Sequence, residues 1–199
     1  MNKILKLTLV LFLICAIVAG ILGAVDLITR DRISAYQTAK SNAARTAVMP
    51  VNVPEGQPLY TDLDLKELGI HTTINSNGQK IKILSVSEAN DGSGWVVETE
   101  FSGAQGTIVM MVGVNRSLRC TGISITQHSE TSGLGANAAS TAEVGVNFRA
   151  QFKGVDEHVQ LKKAGGEIDA LSGATITSRS VTNAASAAIQ FVEALQSAN

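Results

Sequence analysis

Nineteen consecutive residues near the start of the chain, Leu7 to Val25, carry no charge and are mostly apolar. A helix of this length, at about 1.5 Å per residue, nearly spans the roughly 30 Å hydrocarbon core of a bilayer. The run also exceeds the roughly 7–15 apolar residues of a usual signal-peptide core. We therefore predict an uncleaved single N-terminal transmembrane helix, with residues 1–26 as the membrane anchor and 27–199 as one further domain. A cleaved signal peptide is the alternative, since basic residues precede the run.

The charge pattern argues against nucleic acid as a partner and gives little information on the orientation of the anchor. Lys3 and Lys6 lie before the apolar run, and Arg30 and Arg32 lie after it, so the positive-inside rule hardly discriminates. We expect the short N-terminal tail to stay inside. The formal net charge of −1 gives no electrostatic attraction for nucleic acid, and we predict no such partner.

The two cysteines, Cys15 and Cys120, lack the spacing of a metal site with the three histidines. Cys15 also lies inside the apolar run, which argues against a disulfide framework. We therefore predict no structural metal. The chain has no Gly-x-Gly-x-x-Gly after a strand, so a direct reaction with a nicotinamide cofactor is not expected.

Beyond the anchor, the pattern predicts a helix over Leu27 to Val48 and then a loop, because three prolines follow at 50, 54 and 58. Further on, turn signals such as Asn90-Asp-Gly-Ser-Gly94 separate short runs of β-forming residues. These runs predict an antiparallel meander of four strands: Ile81 to Val86, Trp95 to Phe101, Thr107 to Val114 and Leu118 to Thr126.

The apolar pattern of the C-terminal third predicts helices that pack on this sheet. Apolar residues recur every four positions over Ala138 to Phe152, which indicates a helix. A strand pair, Val159 to Leu161 with Glu167 to Leu171, is expected around two glycines. A last helix presents an apolar stripe, which we assign to the core. The stripe is formed by Val181, Ala185, Ala188, Val192 and Leu195. The predicted fold is α+β, an antiparallel sheet packed with helices.

The turn before this last helix, Asp169-Ala-Leu-Ser-Gly-Ala-Thr-Ile-Thr-Ser178, is rich in small and hydroxyl residues. Small residues leave the first N–H groups of the helix open, and the positive end of the helix dipole favours an anion there. One interpretation of this pattern is a phosphate at the turn, with the hydroxyl of Thr175 against it. The alternative is that a Ser or Thr simply caps the helix.

Two segments in the correct order resemble the FMN-binding domain family. The first is Asp169-x-x-Ser172-Gly173-Ala174-Thr175, which is similar to the flavinylation motif of that family. The second is His128-Ser-Glu130-Thr131-Ser132-Gly-Leu134-Gly135, which is similar to the loop beside the flavin, although Ser132 stands where proline is usual. Proline would restrict this loop in the unfolded chain.

The resemblance implies that FMN is attached covalently through its phosphate to the side-chain oxygen of Thr175. It implies that a separate flavin transferase supplies FMN from FAD, with Asp169 as a recognition residue or as a plain turn residue. The phosphate would be surrounded by Ser172, Gly173, Ala174 and Thr177, and the flavin by Glu130, Thr131 and Leu134. Arg179 would neutralise charge or lie in solvent. The family commonly has an aromatic residue in the Gly103–Gly106 turn, which is missing here, so we expect a more exposed ring or a contact from Trp95.

Within that family, the length and layout are similar to the G subunits of the Rnf ion-translocating ferredoxin:NAD oxidoreductases. The resemblance implies an electron-transfer subunit in the cell membrane, with the domain extracytoplasmic and other membrane and redox subunits as partners. Alternatives are a flavin carrier of a quinone reductase or of an extracellular electron-transfer chain. A flavin-free membrane-tethered assembly module is a third possibility.

Overall fold

The computed structural model describes residues 3–65 and 71–198, so the predicted ranges 1–26 and 27–199 are described only in part. The chain divides into two compact units, one up to Ser41 and one from Asn42 onwards. Three α-helices and six strands are present in the described part. They are α1 (Lys3–Val48), β1 (Tyr60–Asp62), β2 (Thr73–Ser76), β3 (Gln79–Ala89), β4 (Gly94–Ser102), β5 (Thr107–Asn115), β6 (Cys120–Gln127), α2 (Glu143–Ala150) and α3 (Thr175–Ala198).

Helix α1 is continuous for 46 residues, so the predicted anchor and the predicted helix after it form one element. Within the described part, α1 is long and apolar enough to cross a membrane. Asp26 and Arg30 form an ion pair at 2.6 Å one turn apart, beyond the apolar run. The helix ends where Pro50 disfavours helical backbone in the residue before it. The predicted boundary after residue 26 falls inside α1 and stays a prediction.

The predicted antiparallel meander is confirmed, and two short strands extend it. Strands β3, β4, β5 and β6 pair in sequence order, with Trp95 opposite Val114 in the central pair. Both β1 and β2 pair with the outer edge of β3, β1 near its end and β2 near its start. They lie in the stretch predicted to be a loop, and at three and four residues they are too short to show a clear alternation.

One face of the sheet packs against α3, and the predicted apolar stripe of that helix is buried throughout. Four alanines of α3 are fully buried, which lets the helix backbone approach the strands closely. These are Ala184, Ala185, Ala187 and Ala188. Larger side chains such as Ile189 and Phe191 fill the space beside them, each contributing about 1.5–3 kcal/mol by burial.

The opposite face of the sheet packs against the last turn of α1. Ala44, Val48 and Met49 form a small apolar cluster with strand residues such as Met111. The hydroxyl of Thr121 donates a hydrogen bond to the carbonyl of Val48, and the hydroxyl of Tyr60 donates one to the carbonyl of Met49 at 2.6 Å. Since both faces are covered, β5 is buried almost along its whole length.

Two sequence predictions in the C-terminal third need correction. The helix predicted over Ala138 to Phe152 is interrupted, with a 3₁₀ helix at Gly135–Ala139 before α2. The backbone is extended at Ser140, and the half-buried guanidinium of Arg149 donates to the carbonyls of Ala138 and Ser140 at 2.6 and 2.9 Å. The side chain thus satisfies the carbonyls that a continuous helix would have paired.

The strand pair predicted around Gly165 and Gly166 is wrong. The segment holds a short 3₁₀ helix, Lys162–Ala164, and a single parallel bridge between Leu161 and Ile168. Gly165 has a φ of 91°, which reverses the chain directly after the 3₁₀ turn. The 3₁₀ turn takes up the residues between the two segments, and Leu161 and Ile168 pair in parallel, whereas the ladder of a hairpin is antiparallel.

We expect Thr121→Val to lower the free energy of unfolding by about 1–2 kcal/mol, because the Val48 carbonyl loses its donor. Urea denaturation of the detergent-solubilised chain, followed through Trp95 fluorescence, measures this. Thr121→Ser keeps the hydroxyl and serves as the control, with a change within about 0.5 kcal/mol. Equal stabilities for the two variants would contradict the assignment.

Candidate functional site

The turn before α3 leaves the first backbone donors of the helix open. The N–H of Ala174 donates to the carbonyl of Leu171 at 3.0 Å, and Gly173 has a φ of 71°, which favours glycine. The N–H of Ser178 donates to the carbonyl of Ala174 at 3.0 Å, so Ala174 occupies the N-cap position. A methyl side chain accepts no hydrogen bond. The simple hydroxyl cap considered above therefore does not occur at this position, and the N–H groups of residues 175–177 lack intrahelical acceptors.

Ser178, to which the sequence pattern assigned no role, holds this turn together. Its Oγ accepts a hydrogen bond from the N–H of Leu171 at 2.9 Å and donates one to the carbonyl of Ala174 at 2.9 Å. Ser178 is fully buried. The geometry of the small-residue turn thus depends on a side chain one helical turn further along the chain.

Thr175, the first residue of α3, is half-buried and lines a cavity of about 300 Å³. The cavity brings together the two motifs singled out in the sequence and the turn between β4 and β5. It is lined by Ala104, Gln105, Glu130, Thr131, Leu134, Gly135, Gly173, Ala174, Thr175, Ile176 and Thr177. Two of its apolar side chains, Leu134 and Ile176, are 44% and 61% exposed and form an open apolar rim.

Glu130 and Thr177 lie at the inner end of this cavity and bind each other. The hydroxyl of Thr177 donates to Oε2 of Glu130 at 2.6 Å, and the N–H of Gln105 donates to Oε1 at 3.0 Å. Both Glu130 and Thr177 are buried. The proton of the Thr177 hydroxyl is therefore directed to the carboxylate of Glu130.

The loop that carries Glu130 is further held by its own hydrogen bonds. The carbonyl of Thr131 accepts from the N–H groups of Leu134 and Ala136 at 3.2 and 3.1 Å. The side-chain amide of Asn137 donates to the carbonyl of Gly133 at 2.9 Å. Together these bonds fold the loop into a compact turn beside Thr175.

Two further cavities are also lined by Thr175. They lie on the side of the turn that carries lysine and arginine side chains, which we call the basic side. One, of about 300 Å³, is lined by Lys162, Lys163, Asp169 and Ser172 among others. The other, of about 250 Å³, is lined by Lys163, Arg179, Asn77 and Asn183 among others. The exposed carboxylate of Asp169 pairs with Nζ of Lys162 at 2.5 Å, and Ser172 is exposed. Asp169 and Ser172 are thus placed away from the loop of Glu130.

Other residues named in the sequence analysis do not line the cavity of Thr175. Trp95 is buried in the core with the guanidinium of Arg116 4.4 Å from its ring centre, and it does not line the cavity of Thr175. His128 is exposed. Burial raises the pKa of the Cys120 thiol to about 12, so it is not a nucleophile at neutral pH. Within residues 3–65 and 71–198, no cluster of His, Cys, Asp or Glu has the size of a metal site.

Comparison with known proteins matches residues 103–190 to the FMN-binding domain family. The chain is 30% identical over 197 residues to the G subunit of the ion-translocating oxidoreductase complex of Methanosarcina acetivorans, covering 97% of this chain and 96% of the relative. It is 27% identical over 199 residues to the G subunit of the Na⁺-translocating ferredoxin:NAD⁺ oxidoreductase complex of Acetobacterium woodii, with coverage of 96% and 92%. A proton-translocating counterpart from Clostridium ljungdahlii is 35% identical over 120 residues, 58% of this chain and 62% of that relative.

Ser178→Ala is expected to lower the free energy of unfolding by about 1–3 kcal/mol, because the buried N–H of Leu171 loses its acceptor. Ser172→Ala, in the same turn but exposed, is the matched control, with a change within about 0.5 kcal/mol. The same urea titration measures both. Indistinguishable midpoints would show that Ser178 does not hold the turn.

Proposed function

The chain belongs to the family of G subunits of ion-translocating oxidoreductase complexes, and we propose that it is the membrane-anchored electron-transfer subunit of such a complex, carrying FMN. The observation that carries this proposal is the start of α3, where the first N–H groups lack intrahelical acceptors and Thr175 lines three cavities. Bound flavin would supply the redox chemistry, and the chain would supply binding and orientation.

The first turn of α3 fits a phosphate. Ala174 at the N-cap leaves the N–H groups of residues 175–177 available, and the helix dipole favours negative charge there. Gly173 has a left-handed backbone and no side chain, so the turn would approach the phosphate closely with no side chain in the way. In this proposal Ser172, Gly173, Ala174 and Thr177 surround the phosphate, with Thr177 acting through its backbone N–H because its hydroxyl proton is bound to Glu130.

We propose that the phosphate is esterified to Thr175. Oγ1 of Thr175 attacks the FMN-side phosphorus of FAD, the phosphoanhydride bond breaks, AMP leaves, and the hydroxyl proton passes to a base. The carboxylate nearest in the cavity, Glu130, already accepts two hydrogen bonds, so a separate flavin transferase would provide that base. Asp169, exposed on the basic side of the turn, is the residue proposed for recognition by that enzyme.

The flavin ring is assigned to the cavity beside the Glu130 loop, with Thr131 and Leu134 as its neighbours. A volume of about 300 Å³ lies at the lower end of the range of ligand sites, which suits a ring that stays partly open to a redox partner. Leu134 and Ile176 exclude water from the apolar part of such a ring.

The anchor and the relatives support the rest of the proposal. Helix α1 would hold the domain at the cell membrane on the extracytoplasmic side, beside other membrane and redox subunits. The apolar run of α1 contains no charge, so the ion path would belong to those other subunits. Two relatives bear names of ferredoxin:NAD⁺ oxidoreductases, and we propose the same overall donor and acceptor for the complex of this chain.

Coexpression with a flavin transferase, followed by denaturing electrophoresis, tests the ester. We expect flavin fluorescence to survive denaturation in the parent chain and to vanish in Thr175→Val, which lacks the hydroxyl. Thr141→Val removes an exposed hydroxyl that does not line this cavity and should keep its fluorescence. A dark parent band, with a proven transferase substrate labelled alongside, would favour the flavin-free assembly module.

The cavity beside the loop has no aromatic side chain among the described residues that line it. A flavin there should fluoresce without quenching by electron transfer from a stacked ring. We expect Ala104→Trp to lower the emission yield per bound flavin, because the indole would reach the ring from the β4–β5 turn. Ala104→Leu adds bulk without an electron donor and should leave the yield unchanged. Equal yields for the three proteins would place the flavin elsewhere.

A further inference from the structure

Among the described residues, Glu130 is the one charged side chain that the fold buries, with 9% of its surface exposed. Burying a carboxylate is unfavourable unless hydrogen bonds replace its lost water. Both of its oxygens accept such bonds, and the 2.6 Å bond from Thr177 has the length of a charge-assisted O–H···O⁻ bond. This side chain therefore has a defined position inside the domain.

Three segments that are distant in sequence meet on this carboxylate. Glu130 itself belongs to the loop after β6, Gln105 to the turn between β4 and β5, and Thr177 to the first turn of α3. Thr177 lies two residues after Thr175 in the same helical turn. Fixing the side chain of Thr177 therefore fixes the start of the helix that carries the hydroxyl of Thr175.

Two glycines make room for the carboxylate. A Cβ at Gly103 would collide with Oε1 of Glu130, and a Cβ at Gly135 would collide with Oε2. Neither glycine has a left-handed backbone, so neither position requires glycine for its conformation. The space itself is the requirement, which shows that the surrounding backbone is shaped around Glu130.

We infer that Glu130 is a positioning residue for the modification of Thr175. It links the β4–β5 turn, its own loop and the first turn of α3, and so holds the Thr175 hydroxyl and the open N–H groups in one arrangement. The inference rests on the proposed function, since it concerns the attachment of FMN to Thr175. It assigns to Glu130 a role in orienting the acceptor rather than in contacting the flavin.

The test compares rates of covalent flavin incorporation into the full chain in detergent, with purified transferase and FAD. Glu130→Leu keeps the side-chain volume but accepts no hydrogen bond, and we expect incorporation to slow by about 10- to 100-fold as the acceptor loses its orientation. Glu130→Gln retains a carbonyl for the N–H of Gln105 and an amide for the oxygen of Thr177, so its rate should stay within about threefold of the parent. Rescue by the amide separates positioning from proton transfer, because an amide keeps the hydrogen bonds but cannot act as a base.

A double-mutant cycle provides a second measurement. A Cβ at Gly135 meets Oε2 of Glu130 and the hydroxyl of Thr177, the two partners of the bond, so Gly135→Ala should slow incorporation, and Glu130→Ala should slow it as well. In the double variant the collision with Oε2 is gone and the Thr177 hydroxyl has no acceptor to hold it in place, so we expect Gly135→Ala to add less than about a twofold further loss. Multiplying losses would show that Gly135 acts independently of Glu130.

Hydrogen exchange in the unmodified chain gives a readout that needs no flavin. In Glu130→Leu, exchange should accelerate at the N–H of Gln105 and at the N–H of Ser178, the first intrahelical donor of α3, but not in Glu130→Gln. Unchanged incorporation in Glu130→Leu, beside a labelled parent and an unlabelled Thr175→Val, would overturn the positioning role alone. A parent chain that takes no flavin, with a proven transferase, would overturn the proposed function and this role with it.

Discussion

Close packing of α3 against the sheet is the interaction on which the rest of the domain depends. Its fully buried alanines bring the helix backbone near the strands, and apolar burial of this kind contributes about 25 cal/mol per Å². Because the later turns of α3 are fixed in the core, its first turn projects from a rigid element. The hydrogen bonds of Ser178 and Thr177 then need only orient that first turn, and a site supported this way is better ordered than one on a free loop.

The parts of the fold that were predictable are those whose pattern is local. Alternating β-forming residues between strong turn signals gave the four-strand meander, and the apolar stripe gave α3. The break at Ser140 was not predictable, because it depends on Arg149 reaching back to two carbonyls. The strand pair around Gly165 was wrong because a short apolar run cannot reveal that a 3₁₀ turn takes up the residues between the two segments.

The candidate site was likewise predictable where its signal is local and not where it depends on contacts distant in sequence. Small residues before a helix pointed to Thr175, and resemblance pointed to the loop of Glu130, which the fold brings into the same cavity. The bond between Glu130 and Thr177 joins residues 47 apart in sequence, so no local pattern could reveal it. Asp169 and Ser172 belong to the same motif, yet the turn directs them to the basic side, away from the Glu130 loop. Trp95 is likewise placed by the core and not by the cavity.

The bonded loop around Ser132 has a thermodynamic consequence. A proline in that position would reduce the freedom of the unfolded chain, so the loop would be partly ordered before the domain folds. Here the local bonds at Thr131 and Asn137 are completed by the bond from the N–H of Gln105 to Glu130, which joins residues 25 apart and is made only when the domain folds. The entropy of the loop is therefore lost in the same step as that of the core. Order beside Thr175 thus becomes a cooperative property of the whole domain, so a destabilised core would also loosen this loop.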